Sequence, residues 1–485
     1  MSETFTVHAP GPRSALTNRF DPIDNAVNFR EDHRVITPRA FIHRSRTHPV
    51  EEDRMKTKKT RALAASLAVI ISAVALAGCS SGSEPKKDGV IHWLTAHNGS
   101  EPTIAAVKKI AADYSKDHPG FKLEIEATAD RPSYDQKLRL LASSNELPDM
   151  FDADPEPFFK KIVDTGAVVD IGKLYDELGV KDKFFPISLA YPKWDDGSLN
   201  LITLNANVEY FWYNTDLFTK AGVEPPKTLS DFPAACDKLK SSGVTPISVN
   251  GKDLWPFYRY LAMPAFRATG NSFIDGLKTG KESMSSSVGT ESADFLKSLS
   301  GCFQEGFSTS DYTSALNLFT SGKAAMYYMG TWELPTFLDD KRELKPQYSY
   351  FPMPAASSSD KTPTTDYFAN SGIGTAILKD SLTPELKGFL KYFFAHYGDV
   401  AFHDFGVIPS IKPTMDDTTP QIYKKVLSDI EGVKTFAKVW DVQLDPNTNS
   451  VLGRESTNLL LGQQDVAGFT KAVDDSIAQY KQQNK

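Results

Sequence analysis

Residues 90–116 read VIHWLTAHNGSEPTIAAVKKIAADYSK, a short apolar strand that runs into a helix. Val90–Thr95 is the strand, 97–102 a polar turn, and 103–116 an amphipathic helix with its apolar residues at helical spacing. The same alternation continues: 121–127 reads as a second strand, 133–143 as a helix and 149–152 as a short strand. Strand, helix, strand, helix is the order of a parallel α/β sheet covered on both faces, and in such sheets ligands lie beyond the carboxyl ends of the strands.

A second unit of the same kind begins at 209–213, EYFWY, a dense aromatic strand followed by Asn214, Thr215 and Asp216. Thr228, Ser230 and Asp231 supply capping chemistry for a helix over 229–241, and 244–249 returns as a strand. Helices follow through 291–302. The stretch 316–329, LNLFTSGKAAMYYM, breaks at Gly322 and starts a strand near Ala324. Further on, 372–378 reads as a strand, 384–396 as an apolar helix and 466–482 as a closing helix.

Ahead of these units stands MKTKKTRALAASLAVIISAVALAGC, residues 55–79, with Lys56, Lys58, Lys59 and Arg61 before an uncharged apolar run. That order is an export signal, and the run is too short to span the ~30 Å core of a bilayer comfortably. Residues 55–78 are therefore expected to be cleaved, and 79–87 to form a Ser/Gly-rich tether. Residues 1–54 are polar, show no apolar periodicity and precede a signal that belongs at an N-terminus. They are expected to be disordered or to reflect a start placed too early.

From Cys79 onward the chain exceeds the ~100–200 residues of one domain, so two domains are expected. A net charge of −7 with mixed signs leaves no basic footprint for nucleic acid and points to an uncharged ligand. Thirty Phe, eighteen Tyr and six Trp provide faces on which flat C–H surfaces such as sugar rings stack. Of three cysteines, Cys236 and Cys302 remain as a possible disulfide if the helices carrying them pack side by side. No Cys/His spacing suggests a metal, and no nucleophile elbow or phosphate loop appears, so neither a cofactor nor catalysis is expected.

Several motifs together resemble the family 1 extracellular solute-binding proteins of ABC importers, the maltose-binding-protein-like class. They are Leu76-Ala77-Gly78-Cys79, which looks like a lipobox; Leu147-Pro148-Asp149; WYNTDLFTKAG at 212–222 with Pro225, Pro226, Lys227 and Thr228; FTSGKAAMYYMGTW at 319–332; 372–378 with Lys379, Asp380 and Ser381; and GVIPS at 406–410. The resemblance implies an α/β, two-lobe periplasmic-binding-protein-like (type II) fold with a hinge between lobes. It places lobe one at 88–212 plus 366–410 and lobe two at 213–365 plus 411–485. It also implies a lipoprotein acylated at Cys79, palmitate being one such chain, and anchored to the outer face of the cell membrane. Several acyl chains hold a soluble domain at a surface, each buried CH₂ contributing ~0.8 kcal/mol. The expected monomer would capture a sugar, in the first instance a di- or oligosaccharide, and deliver it to permease subunits; polyols and glycerol phosphate stay open.

The candidate ligand contacts are His97, Asn98 and Glu101 in the first turn, Asp152 and Asp154 after Asp149, and Asn205 and Asn207 before the crossing strand. Trp255, Trp332 and Glu333, Asn370 at the second crossing, and Arg454 in a late polar loop complete the set. Trp332 and Trp255 suit stacking on a sugar face, and carboxylates suit vicinal hydroxyls because each accepts two hydrogen bonds. Asp149 reads as structural. The competing readings are a secreted carbohydrate-active hydrolase lipoprotein using Asp152 and Asp154 as paired carboxylates, and a surface scaffolding lipoprotein.

Overall fold

The computed structural model describes residues 89–483 apart from Asn98, Ser100 and Ala129. The extension 1–54, the signal 55–78, Cys79 with its tether, and the candidate contact Asn98 lie outside the described residues.

The strands in chain order are β1 (Val90–Thr95), β2 (Lys122–Ala127), β3 (Met150–Ala153), β4 (Asn207–Asn214), β5 (Thr245–Ser248), β6 (Ala324–Gly330), β7 (Tyr348–Phe351), β8 (Ala369–Asn370) and β9 (Gly374–Ile377). They form two sheets. The first has the order β2-β1-β3-β9; the second has the order β5-β6-β4-β7, with β8 paired to the start of β4.

In the first sheet β1 is parallel to β2 and β3, as the strand–helix alternation predicts. The fourth strand departs from the all-parallel expectation, because β9 runs antiparallel to β3, with Phe151 opposite Ala376 and Asp152 opposite Thr375. It arrives from the other half of the molecule and not through a helical crossover, so nothing obliges it to be parallel. The second sheet is mixed as well: β5 pairs β6 in parallel, while β4 is antiparallel to both β6 and β7.

Each sheet carries its own core. Helix Pro102–Asp117 buries Ile104, Val107, Ile110 and Tyr114, the face its 3.6-residue period lines up, and Tyr114 packs edge-on to Phe389 of helix Pro384–Asp399. Trp93, Met150, Phe121 and Phe393 fill the space beneath. The second core is built on Phe211 and Trp212 of β4, Met326–Met329 of β6 and the almost wholly buried helix Trp255–Thr269. Helices Gln421–Gly432, Pro446–Leu460 and Val466–Gln483 add Tyr423, Leu452 and Phe469 to it.

Cys236, in helix Phe232–Ser241, is joined by a disulfide to Cys302. The expectation of two helical cysteines needs correcting. Helix Ser287–Ser298 stops short of Cys302, which lies in the following turn beside the bridge between Ile247 and Phe303.

The chain passes between the sheets where Asn205 bridges Pro409, Asn207 pairs with Asn370, and Ile202 bridges Thr375. β4 starts at Asn207, and Asn207 and Val208 pair with Asn370 and Ala369 of β8. Among the described residues, no helix is long and apolar enough to cross a membrane.

Candidate functional site

The residues after the carboxyl ends of β1 and β3 come within electrostatic reach of those after β6 and around Asp441, as Glu101 acts on Glu333 and Asp441 on Asp154, and three groups of side chains stand there.

The first group follows β1. The Nδ1–H of His97 donates to Glu101 Oε2 at 2.8 Å, while its Nε2 is buried without a hydrogen-bond partner among the described residues. Burial opposes a charged imidazole, yet the bond to Glu101 and the nearby carboxylate charges outweigh it and raise the His97 pKa.

The second group follows β3, where the two aspartates part ways. Asp152 is fully buried and accepts from Trp93 Nε1 at 2.9 Å, Thr95 Oγ1 at 2.6 Å, the Ala96 amide at 2.9 Å and Thr375 Oγ1 at 2.8 Å. With its lone pairs taken, it ties β1, β3 and β9 together. Asp154, past the strand end, accepts from Arg131 Nη2 at 2.6 Å, and Arg131 also donates to Asp135 at 2.7 Å. Burial raises the Asp154 carboxyl against the pull of Arg131, and the Asp441 charge adds to the rise. Burial pushes neighbouring Glu156 up to about 7, with Asp154 contributing. Asp149, read as structural, accepts the His92 amide at 2.9 Å and the Ser381 hydroxyl at 2.7 Å.

The third group belongs to the second sheet. Trp332, in the turn Thr331–Glu333 after β6, and Trp255, at the start of helix Trp255–Thr269, meet edge to face with centroids 6.2 Å apart at 67°. One turn along that helix, Arg259 places its guanidinium 5.2 Å from the centre of the Trp255 ring. It donates to both oxygens of Glu209 at 3.2 Å and to Asp441 at 2.8 Å. Burial alone would lower the Arg259 pKa, but the Asp441 and Glu209 charges hold it above its ordinary value. Glu333 is buried and accepts from Tyr312 and Thr336; burial raises its carboxyl, and Glu101 from the opposite side adds to the rise.

The two sides approach closely. Burial and the charges of Asp154, on one side, and Asp441, on the other, raise the Tyr191 hydroxyl well above its usual range. Tyr191 and Phe436 have centroids 6.4 Å apart, and Lys278 comes within 3.8 Å of Asp195.

The remaining sequence candidates lie elsewhere in this scheme. Asn205 is buried and donates to Thr103 at 3.3 Å; Asn207 accepts from Thr331 at 3.3 Å; Asn370 donates to Glu209 at 3.0 Å and accepts the Gly372 amide at 2.9 Å. All three brace the chain crossings. Arg454, expected in a loop, lies inside helix Pro446–Leu460, where its 61% exposed side chain pairs with adjacent Glu455. Sequence reasoning missed Arg131, Tyr191, Arg259, Tyr312 and Asp441. Among the described residues, no group of three or more His, Cys, Asp or Glu side chains is placed to hold a metal.

Two sheets linked by several chain passages have the build of the periplasmic-binding type, with which solved structures align. The chain belongs to the bacterial extracellular solute-binding proteins, whose family profile matches residues 98–396. It is similar to an uncharacterised ABC transporter extracellular-binding protein of Pyrococcus horikoshii, at 23% identity over 304 residues, 59% of this chain and 67% of that protein. It is also similar to the multiple sugar-binding protein of Streptococcus mutans, at 24% identity over 285 residues, 55% of this chain and 63% of that protein. The aligned segments thus span about two thirds of these relatives' length. Among solved structures, a chitin oligosaccharide binding protein aligns with a TM-score of 0.70 at 21% identity, covering 80% of this chain and 98% of that one.

Proposed function

We propose that this chain is the exported receptor of an ABC importer, capturing a di- or oligosaccharide in the cleft and handing it to membrane permease subunits. One observation carries the reading: two indoles at a corner, Trp255 and Trp332, adjoin Glu333, which feels the charge of Glu101 from the first sheet's side, where His97, Glu101, Asp154 and Arg131 offer hydrogen-bonding groups. A sugar ring presents C–H faces to the first and hydroxyls to the second. The names of the Streptococcus mutans relative and of the chitin oligosaccharide binding protein support a carbohydrate ligand.

In this reading the lobes are 89–206 plus 371–410 and 207–370 plus 411–483, and the hinge is the set of crossings braced by Asn205, Asn207 and Asn370. Trp255 and Trp332 stack on the ligand. His97, through its unpartnered Nε2, together with Glu101, Asp154 and Arg131, takes hydroxyls from the facing lobe. A ligand touching both lobes favours the closed arrangement by its differential affinity, and that arrangement is what a permease recognises. The receptor works as a monomer.

The test is thermal unfolding of the chain against mono-, di- and oligosaccharides, polyols and glycerol phosphate. A ligand at a hundred times its Kd should add ~2.7 kcal/mol to stability. A selective shift with the sugar recovered intact is the expected outcome; consumption of the sugar, or a shift only with glycerol phosphate, sinks the reading.

The signal implies that Cys79 is acylated and holds the receptor at the membrane. Cys79→Ser should move the protein from the membrane fraction to the medium and abolish palmitate labelling. Retention in the membrane would refute the anchor.

A further inference from the structure

The geometry points to Tyr312 as a positioning residue: it fixes the angle of the Trp332 ring and thereby sets the affinity of the cleft. The inference rests on the reading of Trp332 as a ligand-stacking residue, and two independent features carry it.

The first is the floor beneath the ring. A β-carbon built on Gly330 would lie 2.0 Å from Cζ3, 2.3 Å from Cε3 and 2.5 Å from Cη2 of Trp332. The indole therefore rests against bare backbone, at a distance only glycine permits. That contact holds the benzene half of the ring.

The second feature holds its polar edge. Trp332 Nε1–H donates to the Tyr312 hydroxyl oxygen at 2.9 Å, and the Tyr312 O–H donates to Glu333 Oε1 at 2.5 Å. A hydroxyl has one proton, and an ionised carboxylate only accepts. The string therefore runs in one direction, from indole through phenol to carboxylate, and Glu333 is fixed at its far oxygen by Thr336 at 3.1 Å. Tyr312 comes from a different element, helix Tyr312–Thr320, so the register of that helix against the turn Thr331–Glu333 sets the ring angle.

Together these restraints fix the corner with Trp255, whose own ring is held by the Arg259 guanidinium, and both indoles stay partly exposed. A ring already held at the stacking angle has little rotational freedom to lose on binding. Without the phenol oxygen, the indole N–H and the Glu333 carboxylate each lose a partner, and the ring is restrained on one side alone.

Tyr312→Phe keeps the aromatic body and removes the oxygen. Isothermal titration with the saccharide selected by the panel should show about tenfold weaker binding, beside a modest fall in the thermal midpoint of the free protein from the two bonds lost. In a Trp332→Phe background the same substitution should cost nothing further, because the residue it orients is gone. In the ligand-free protein, the ¹⁵N indole resonance of Trp332 should move and its N–H should exchange faster in Tyr312→Phe. An equal affinity loss in both backgrounds would show that Tyr312 acts by its own ligand contact and overturn the inference. So would an unmoved indole resonance. If no saccharide binds the wild-type protein, the sugar reading fails, while the indole resonance still decides whether Tyr312 orients the ring.

Discussion

Arg259→Ala should destabilise the folded chain by about 3–5 kcal/mol, because it leaves the Glu209 carboxylate buried without its cation. Glu209 is fully buried in β4, and its other partners here, the Asn370 amide and the Tyr328 hydroxyl, are neutral. Burial already raises the Glu209 carboxyl, with Arg259 opposing the rise. Removing the guanidinium lets the pKa climb further, so in the variant Glu209 takes up a proton on folding. Protonation relieves the isolated charge, and the deficit relative to wild type should be smaller at pH 5 than at pH 8. Urea unfolding at both pH values measures this. A loss below ~1 kcal/mol at pH 8, or one that does not depend on pH, would mean that water satisfies Glu209 and that the triad is not a unit. Glu209→Gln with Arg259→Met should recover much of the loss, since a buried pair replaced as a whole costs far less than one broken in half.

Loss of the Cys236–Cys302 bridge should have an effect of similar size. The cysteines are 66 residues apart, and closing a loop of that length removes enough freedom from the unfolded chain to contribute about 4 kcal/mol. The enclosed segment contains β5, helix Trp255–Thr269 and so Trp255 and Arg259, which means the cross-link constrains one side of the cleft. Both residues are almost wholly buried, so the Cys236→Ala, Cys302→Ala pair is a better probe than serine, which would bury a hydroxyl. The urea midpoint should fall while ligand binding in native buffer persists. An unchanged midpoint would show that the unfolded chain is restricted there already.

Much of the fold is legible in the sequence because its signals are local. The strand and helix of 90–116, the capping chemistry near Thr228 and the break at Gly322 each depend on residues within a turn or two of one another. The direction of β9 is not local: Gly374–Ile377 is a four-residue strand whose partner, Met150–Ala153, lies more than 200 residues away.

Asp152 and Asp154 show why site reading is harder. Equal in type and two apart, they look equivalent, but β3 ends at Ala153, and only the first is enclosed by Trp93, Thr95 and Thr375. Arg259 left a signal that was available. A guanidinium inside WPFYRYLAMPAF must find carboxylates, and an arginine four residues after a tryptophan lies on the same helix face. Arg131 gave none, since an arginine in the first turn of a helix reads as ordinary surface charge until Asp154 is placed beside it. Tyr312 likewise acquires meaning only when helix Tyr312–Thr320 is set against the turn carrying Trp332.

The antiparallel seating of β9 on β3 also governs the order of assembly. The first sheet and the helix Pro384–Asp399 that covers it need residues separated from β1–β3 by the whole second sheet. The first core therefore cannot close until the chain has been made as far as Asp399, and such distant pairings form slowly. The half of the molecule made first is thus the half that sets last.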